Sequence, residues 1–243
     1  MKNNIKVSII TVVFNGSKHI EQTINSVLSL NYDNLEYIII DGGSSDGTVD
    51  IIKKYEDKLA YWVSEPDNGI YDAMNKGIKR SNGELIGIIN SDDWYEPNAI
   101  KEAVSLYDGL TVVYGLLKFI RNDHIEKIYA PSPCLIKSEM IPHPACFIPR
   151  RIYDSFGLYD LQYKSCADYH LILRLLQNHI TFKLIEKPLA NFRLGGFSWN
   201  VNSLCESYKM RYKMGVISKY EYLIKSYLLR LTNGRILKIL GKY

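Results

Sequence analysis

Leu85-Ile86-Gly87-Ile88-Ile89-Asn90-Ser91-Asp92-Asp93-Trp94 sets an apolar, β-branched run directly before two adjacent carboxylates. A short continuous apolar run of this kind reads as a central strand buried on both faces. Its C-terminal end then delivers Asp92 and Asp93 to the edge of the sheet where ligands bind in open α/β folds. Successive side chains on an extended segment point opposite ways. The two carboxylates are therefore expected to do different jobs, one on a metal and one on a ligand hydroxyl. Asn, Ser and Asp are also ordinary turn residues, so Asn90 to Trp94 taken alone fits a plain surface turn equally well.

The sequence on either side decides between these readings. Upstream, Val7 to Phe14 reads as a first buried strand, and Asn15-Gly16-Ser17 as a turn with Ser17 as helix N-cap. Ile20, Ile24, Val27 and Leu28 follow at helical spacing. Leu35 to Ile40 gives a second strand, ending in Asp41-Gly42-Gly43-Ser44-Ser45-Asp46-Gly47-Thr48, and a helix runs on through Val49, Ile51, Ile52 and Tyr55. This βαβα order predicts a parallel sheet with helical crossovers. Glycines in the 41–48 segment let the backbone approach a ligand at a helix N-terminus. The segment is neither G-x-G-x-x-G nor a P-loop, so the usual dinucleotide and P-loop folds are not supported. A tight turn capped by Asp46 or Thr48 explains most of it but leaves Asp41 without a role. Leu59 to Val63 is a third strand candidate. In Glu65-Pro66-Asp67-Asn68-Gly69-Ile70-Tyr71-Asp72-Ala73-Met74-Asn75-Lys76-Gly77-Ile78, the residues Ile70, Ala73, Met74 and Ile78 form one apolar helical stripe. Asp72, Asn75 and Lys76 fall on the other, ordinarily solvated side.

Composition sets the bounds. The 243 residues, 47% hydrophobic and 23% charged, can bury a full core as one large domain with a small appendage. No run approaches the roughly 18 apolar residues of a membrane span. Met1-Lys2-Asn3-Asn4-Ile5-Lys6 lacks the flanks of a signal peptide, so a cytoplasmic location is expected. Cys134, Cys146, Cys166 and Cys205 are scattered, which argues against a structural zinc site or a redox pair. Charge is divided unevenly. Residues 205–243 hold nine Lys/Arg and two Glu, net +7, whereas the preceding 204 residues hold 21 basic and 24 acidic side chains, net −3. Such a basic tail points to a partner surface.

Val7 to Gly16, Asp41 to Thr48, Glu65 to Gly77 and Asn90 to Trp94, in this order over about 90 residues, resemble the nucleotide-sugar-binding half of inverting family-2 glycosyltransferases. The resemblance implies an α/β fold of GT-A type, a single domain with a mostly parallel central sheet flanked by helices, plus a C-terminal helical tail. Residues 1–204 would form the domain, with 1–95 the nucleotide-sugar-binding half and 96–204 the acceptor half, and residues 205–243 the tail. In the family the acidic pair is an Asp-x-Asp-type metal and diphosphate motif, here in the Ser-Asp-Asp form. The resemblance places Mg²⁺ or Mn²⁺ on Asp93, with Ser91 and Asp92 toward the donor. It puts Thr11, Asp41, Asp72, Asn75 and Lys76 around the nucleotide sugar, and Trp94 and His143 on the acceptor side. Asp168, in Ser165-Cys166-Ala167-Asp168-Tyr169, matches the catalytic base, where many members show Glu-Asp and this chain has Ala-Asp. Its own surroundings also fit a helix N-cap, since Leu171, Ile172, Leu175 and Leu176 follow at helical spacing. Gly195-Gly196-Phe197-Ser198 resembles a loop that closes over the diphosphate in some relatives. The branch resembled builds bacterial surface polysaccharides, which implies a UDP-linked donor and a glycan or lipid-linked sugar acceptor.

The rest of the chain is consistent with this. Glu96-Pro97-Asn98 starts a helix, with Pro97 suited to the first turn. Thr111 to Ile120 and Ile125 to Tyr129 read as a strand pair. Tyr220, Leu223, Ile224, Tyr227, Leu228 and Leu231 lie at helical spacing with Lys219, Lys225 and Arg230 beside them. A basic amphipathic helix of this kind fits an anionic membrane surface, a face of its own domain or a second subunit. The lipid-linked acceptors implied by the resemblance favour a peripheral membrane location. A sugar-nucleotide pyrophosphorylase is the competing enzyme class, but it needs a Gly-rich, Arg/Lys-bearing loop where this chain has Phe14-Asn15-Gly16-Ser17-Lys18. A non-catalytic nucleotide-sugar-binding protein would not need both Asp93 and Asp168. The basic excess is confined to the tail, so no nucleic-acid partner is expected.

Overall fold

Four apolar runs build the first half of the sheet. The computed structural model describes residues 4–195 and 201–231. In it β1 (Val7–Val13), β2 (Leu35–Asp41), β3 (Tyr61–Ser64) and β4 (Leu85–Asn90) pair wholly in parallel in the order β3-β2-β1-β4. The crossovers are α1 (Ile20–Leu28), α2 (Thr48–Lys53) and α3 (Ile70–Arg80). Alternating side chains feed two cores, one on each face of the sheet. Ile10, Val12, Ile38, Ile40, Ile86 and Ile88 pack beneath α3, and Val7, Ile9, Ile39, Leu85 and Ile89 beneath α1. Gly77 lets α3 come close, because a Cβ there would stand 2.4 Å from Ile10 Cγ2. That close approach fixes where Tyr71 and Asn75 of the same helix point.

Boundaries differ from expectation at two places. Helix α1 starts at Ile20 with His19 before it, so Ser17 is not its cap; the Ser17 N–H donates to Asp46 Oδ2 instead, at 3.0 Å. The second helix ends at Lys53, short of Tyr55.

The second half turns antiparallel. It contains β5 (Trp94–Tyr95), α4 (Ala99–Ser105), β6 (Val112–Arg121), β7 (His124–Tyr129), β8 (Cys146–Pro149), α5 (Arg150–Phe156), α6 (Ala167–Gln177) and β9 (Phe182–Arg193). The sheet continues from β4 through β8, β6 and β9 to β5, with β7 paired to β6. The β6–β7 hairpin is the strand pair read from the sequence. Its turn residues Asn122 and Asp123 have φ of 48° and 62°, the backbone a two-residue hairpin turn requires. Pro97 lies in the turn before α4 and not in its first turn.

Two further helices follow, α7 (Val201–Lys213) and α8 (Lys219–Leu231). The boundary expected between residues 204 and 205 falls inside α7. That helix is tied to the body: Met210 is buried, and the Glu206 carboxylate accepts the N–H groups of Lys164 (2.9 Å) and Ser165 (2.7 Å). Net charge marked the basic stretch but not which residues within it pack.

Candidate active site

In a parallel sheet the C-terminal ends of the strands and the N-termini of the following helices share one edge. Asp92 and Asp93, after β4, and Tyr71, at the start of α3, therefore meet at the same rim. The turn carrying the acid pair is clamped from α1. Thr23 Oγ1 donates to Ser91 O at 2.9 Å and to Asp93 O at 2.7 Å. Gly16 allows the first loop to close on this turn, since a Cβ there would be 2.9 Å from Ser91 Oγ.

The two carboxylates, carried on the turn that Asp93 N closes on Asn90 O at 3.2 Å, differ in burial. Asp92 is half-buried at the rim, and burial raises its pKa against the pull of His19 and Arg193. Asp93 is 0% exposed, and its Oδ1 accepts the Arg193 N–H at 3.1 Å. Its Oδ2 is buried with no hydrogen-bond partner among the described residues, and burial together with the charge of Asp92 pushes its pKa well up. Asp93, the residue expected to hold a metal, thus has its carboxyl buried, whereas the neighbouring Asp92 is the more open of the two. Above the pair, the Arg193 guanidinium lies over the Trp94 ring at 5.0 Å and donates to Gln22 Oε1 at 2.7 Å. Trp94 is half-buried beneath that cation.

Most residues expected around the nucleoside hold loops together. Thr11 is buried in β1, its Oγ1 3.0 Å from the Tyr37 hydroxyl. Asp41 is fully buried; its Oδ2 accepts Gly43 N (3.1 Å), Ser44 N (2.9 Å) and Ser64 Oγ (2.6 Å), and its Oδ1 accepts Ser44 Oγ. Asp41 thus ties the strand end to β3, the role the sequence left open. Asp46 takes the N–H and hydroxyl of Thr48 at the start of α2, as its turn position implied. Asp72 Oδ2 accepts Asn68 N at 3.0 Å, and Lys76 Nζ meets Glu65 at 2.9 Å and Pro66 O at 3.1 Å. Those two brace the loop leading into α3. Asn75 is buried and grips the Tyr159 backbone twice, donating to its carbonyl at 2.9 Å and accepting its N–H at 3.0 Å. It thereby joins α3 to the Tyr159 segment, 84 residues further along the chain.

Asp168 is the second residue of α6, and Cys166 occupies the cap position, so the N-cap reading does not hold. Asp168 is half-buried. The Tyr71 hydroxyl donates to Asp168 Oδ1 at 2.9 Å, and Tyr169 N donates to the same oxygen at 2.8 Å. The N-terminal end of a helix also favours a negative side chain. Beside it, His143 Nε2 lies 2.8 Å from the Tyr159 hydroxyl, with the rings edge to face. Burial lowers the His143 pKa more than the charge of Asp168 raises it. Tyr71 and Tyr159 rings stand 5.6 Å apart. Tyr71, Tyr159 and Arg193 escaped the sequence reading. Tyr71 lay inside a quoted motif, Arg193 beside another, and Tyr159 carried no signal. Of the Gly195 to Ser198 loop, only Gly195 lies within the described residues.

A family model for glycosyl transferase family 2 matches residues 8–158. The chain belongs to that family. An uncharacterized glycosyltransferase of Mycobacterium tuberculosis is 35% identical over 177 residues, covering 69% of this chain and 68% of its own length. Another, from Rickettsia typhi, is 31% identical over 188 residues, covering 70% of this chain and 58% of its own. Among solved structures, S. aureus TarS 1-349 superposes with a TM-score of 0.70 at 18% identity, over 90% of this chain and 68% of that one. The mannosyltransferase PcManGT from Pyrobaculum calidifontis, in complex with GDP-Man and Mn²⁺, gives 0.69 at 16% identity, over 93% and 70%. These likenesses bear out the GT-A type of fold. The chain carries a single α/β domain of that type, with helices flanking the sheet.

Divalent metal is the cofactor to weigh against the donor set. No cluster of three or more His, Cys, Asp or Glu suited to a metal occurs among the described residues. A cation bound through one or two carboxylates, with phosphates and water completing the shell, does not need one. The adjacent carboxylates Asp92, half-buried at the rim, and Asp93, buried behind it, are the residues of this turn with the chemistry for such a shell.

Proposed function

We propose that this family-2 glycosyltransferase moves a hexose or N-acetylhexosamine from a nucleoside-diphosphate sugar to an acceptor hydroxyl with inversion, in the synthesis of bacterial surface polysaccharide. The observation that supports this is the hydrogen bond from Tyr71, at the N-terminal end of α3, to half-buried Asp168 on α6, with a second half-buried carboxylate, Asp92, in the turn after β4. Donor classes are supported by the neighbours: TarS 1-349 was solved with UDP-GlcNAc and PcManGT with GDP-Man. A UDP-linked sugar is the first donor to test.

In this reading Asp168 accepts the proton of the acceptor hydroxyl as that oxygen attacks the anomeric carbon. The bond from that carbon to the diphosphate oxygen breaks, and its electron pair leaves with the nucleoside diphosphate. Attack opposite the leaving group inverts the centre, so a single base is enough. Asp92 would hold Mg²⁺ or Mn²⁺, which supplies charge neutralisation for the leaving diphosphate. Arg193 adds fixed positive charge at the same place. Ser91 faces the donor, while Thr11, Asp41, Asp72, Asn75 and Lys76 shape the donor site indirectly, through the loops they brace. Trp94 and His143 stand on the acceptor side. The test is release of nucleoside diphosphate from a panel of UDP- and GDP-linked sugars. Activity is expected with one of them, abolished by EDTA and restored by Mn²⁺ or Mg²⁺; full activity in EDTA would remove the metal.

We also infer that the enzyme works at an anionic membrane surface. No helix among the described residues is long and apolar enough to cross a membrane. Helix α8 nevertheless turns an apolar stripe to solvent, with Tyr220 78%, Ile224 59%, Tyr227 64% and Leu231 63% exposed. Lys219 and Arg230 belong to the same helix, inside the net +7 stretch. Pairing this face with its copy would bring two such charges together, whereas anionic lipid neutralises them. Cosedimentation with phosphatidylglycerol vesicles but not phosphatidylcholine vesicles is expected, and loss of it in Leu223→Ser/Ile224→Ser. A dimer in solution that ignores both vesicles would favour the second subunit.

A further inference from the structure

We propose that Tyr71 is the positioning residue for the base, its hydroxyl holding one oxygen of Asp168 so that the other is presented to the acceptor. This rests on the reading of Asp168 as the base. The observation is how the carboxylate is used. Both hydrogen bonds to Asp168, from Tyr71 Oη and Tyr169 N, fall on Oδ1, and no described residue bonds to Oδ2. One oxygen is thus anchored and the other stays available. A general base needs that division, because proton transfer demands a fixed approach.

Tyr71 is suited to be a donor and nothing else. Its ring is 7% exposed and packs against Tyr159. Burial and the adjacent Asp168 charge keep its hydroxyl protonated by pushing its pKa well up. The backbone that carries it is fixed as well. Gly77 seats α3 on Ile10, and Asn75, one turn after Tyr71, grips the Tyr159 backbone. Helix α3 therefore reaches from the donor half into the acceptor half at two points, one on the base and one on the tyrosine beside it. The Glu65 to Gly69 loop that opens α3 is tied to Asp72 and Lys76 of the same helix. The base is thereby aligned by an element of the donor half, not by its own helix alone.

The experiment compares wild type, Tyr71→Phe and Asp168→Asn, reading nucleoside-diphosphate release from UDP- and GDP-linked sugars. Phenylalanine keeps the ring and its packing, so nucleotide affinity by calorimetry and the melting temperature serve as controls on the fold. Tyr71→Phe is expected to lower kcat by about 10–100-fold with the donor KM unchanged. An inactive Asp168→Asn beside a Tyr71→Phe with wild-type kcat would overturn the positioning role and leave the base in place. A Tyr71→Phe that only melts earlier, with kcat unmoved, would reduce Tyr71 to packing. A fully active Asp168→Asn would overturn the base and, with it, this inference.

Discussion

Asp168→Asn is expected to bind nucleotide like the wild type and to lose sugar transfer by ~10²–10⁴-fold. Asparagine keeps the shape and can still accept the Tyr71 and Tyr169 hydrogen bonds on its carbonyl oxygen. What it cannot do is take a proton. The region around α6 should therefore stay folded, with Glu206 still holding the turn before it. The drop should appear in kcat with little change in donor KM, since the lost interaction belongs to the transition state. Steady-state rates beside calorimetric nucleotide binding check both halves. Near-normal turnover would remove Asp168 as the base; loss of binding and turnover together would make it structural.

The second large effect separates the adjacent carboxylates. Asp92→Ala is expected to abolish stimulation by Mn²⁺ and to lower turnover on the order of 10²–10³-fold, the scale of losing charge neutralisation on the leaving diphosphate. Asp93→Asn should act differently. Its amide oxygen can still accept the Arg193 N–H, and its other atom stays buried. Metal stimulation should survive, with a stability change of about 1–2 kcal/mol as the buried polar partners adjust. Metal titrations of activity in the two variants, with urea unfolding of each, decide the matter. If Asp93→Asn loses the metal response while Asp92→Ala keeps it, the more open carboxylate is not the ligand.

Much of the fold was legible because its first half is written in continuous β-branched runs. Val7 to Val13 and Leu85 to Ile89 are buried on both faces and admit little besides a central strand. The hairpin around Asn122 and Asp123 was legible for its turn chemistry. Strand β9 was not: Glu186, Lys187 and Pro188 interrupt its alternation, and its register against β6 shifts at Gly115 and Leu116. Strand β8 has four residues and ends in Pro149, too short for a period to show.

At the site, the sequence placed Asp92, Asp93 and Asp168 on the right elements but could not show which way they turn. A polar residue at a strand end satisfies a loop as readily as a ligand, and Asp41 and Asn75 do the former. Asp93 meets the Arg193 N–H, 100 residues further along the chain, only in the folded state. Tyr71 was missed for the same reason: its partner Asp168 lies 97 residues away, and only the folded chain brings them to 2.9 Å.

In the proposed function this rim binds a nucleoside-diphosphate sugar through a metal on Asp92. The most direct test is the melting temperature of the wild type and of Asp92→Ala with UDP- and GDP-linked sugars, with and without Mn²⁺. A ligand that binds only the folded chain raises the melting temperature by mass action. At least one nucleotide sugar is expected to stabilise the wild type, with Mn²⁺ required, and Asp92→Ala to show no such rise. Stabilisation that is the same without Mn²⁺ or in Asp92→Ala, or none with any nucleotide sugar, would contradict it.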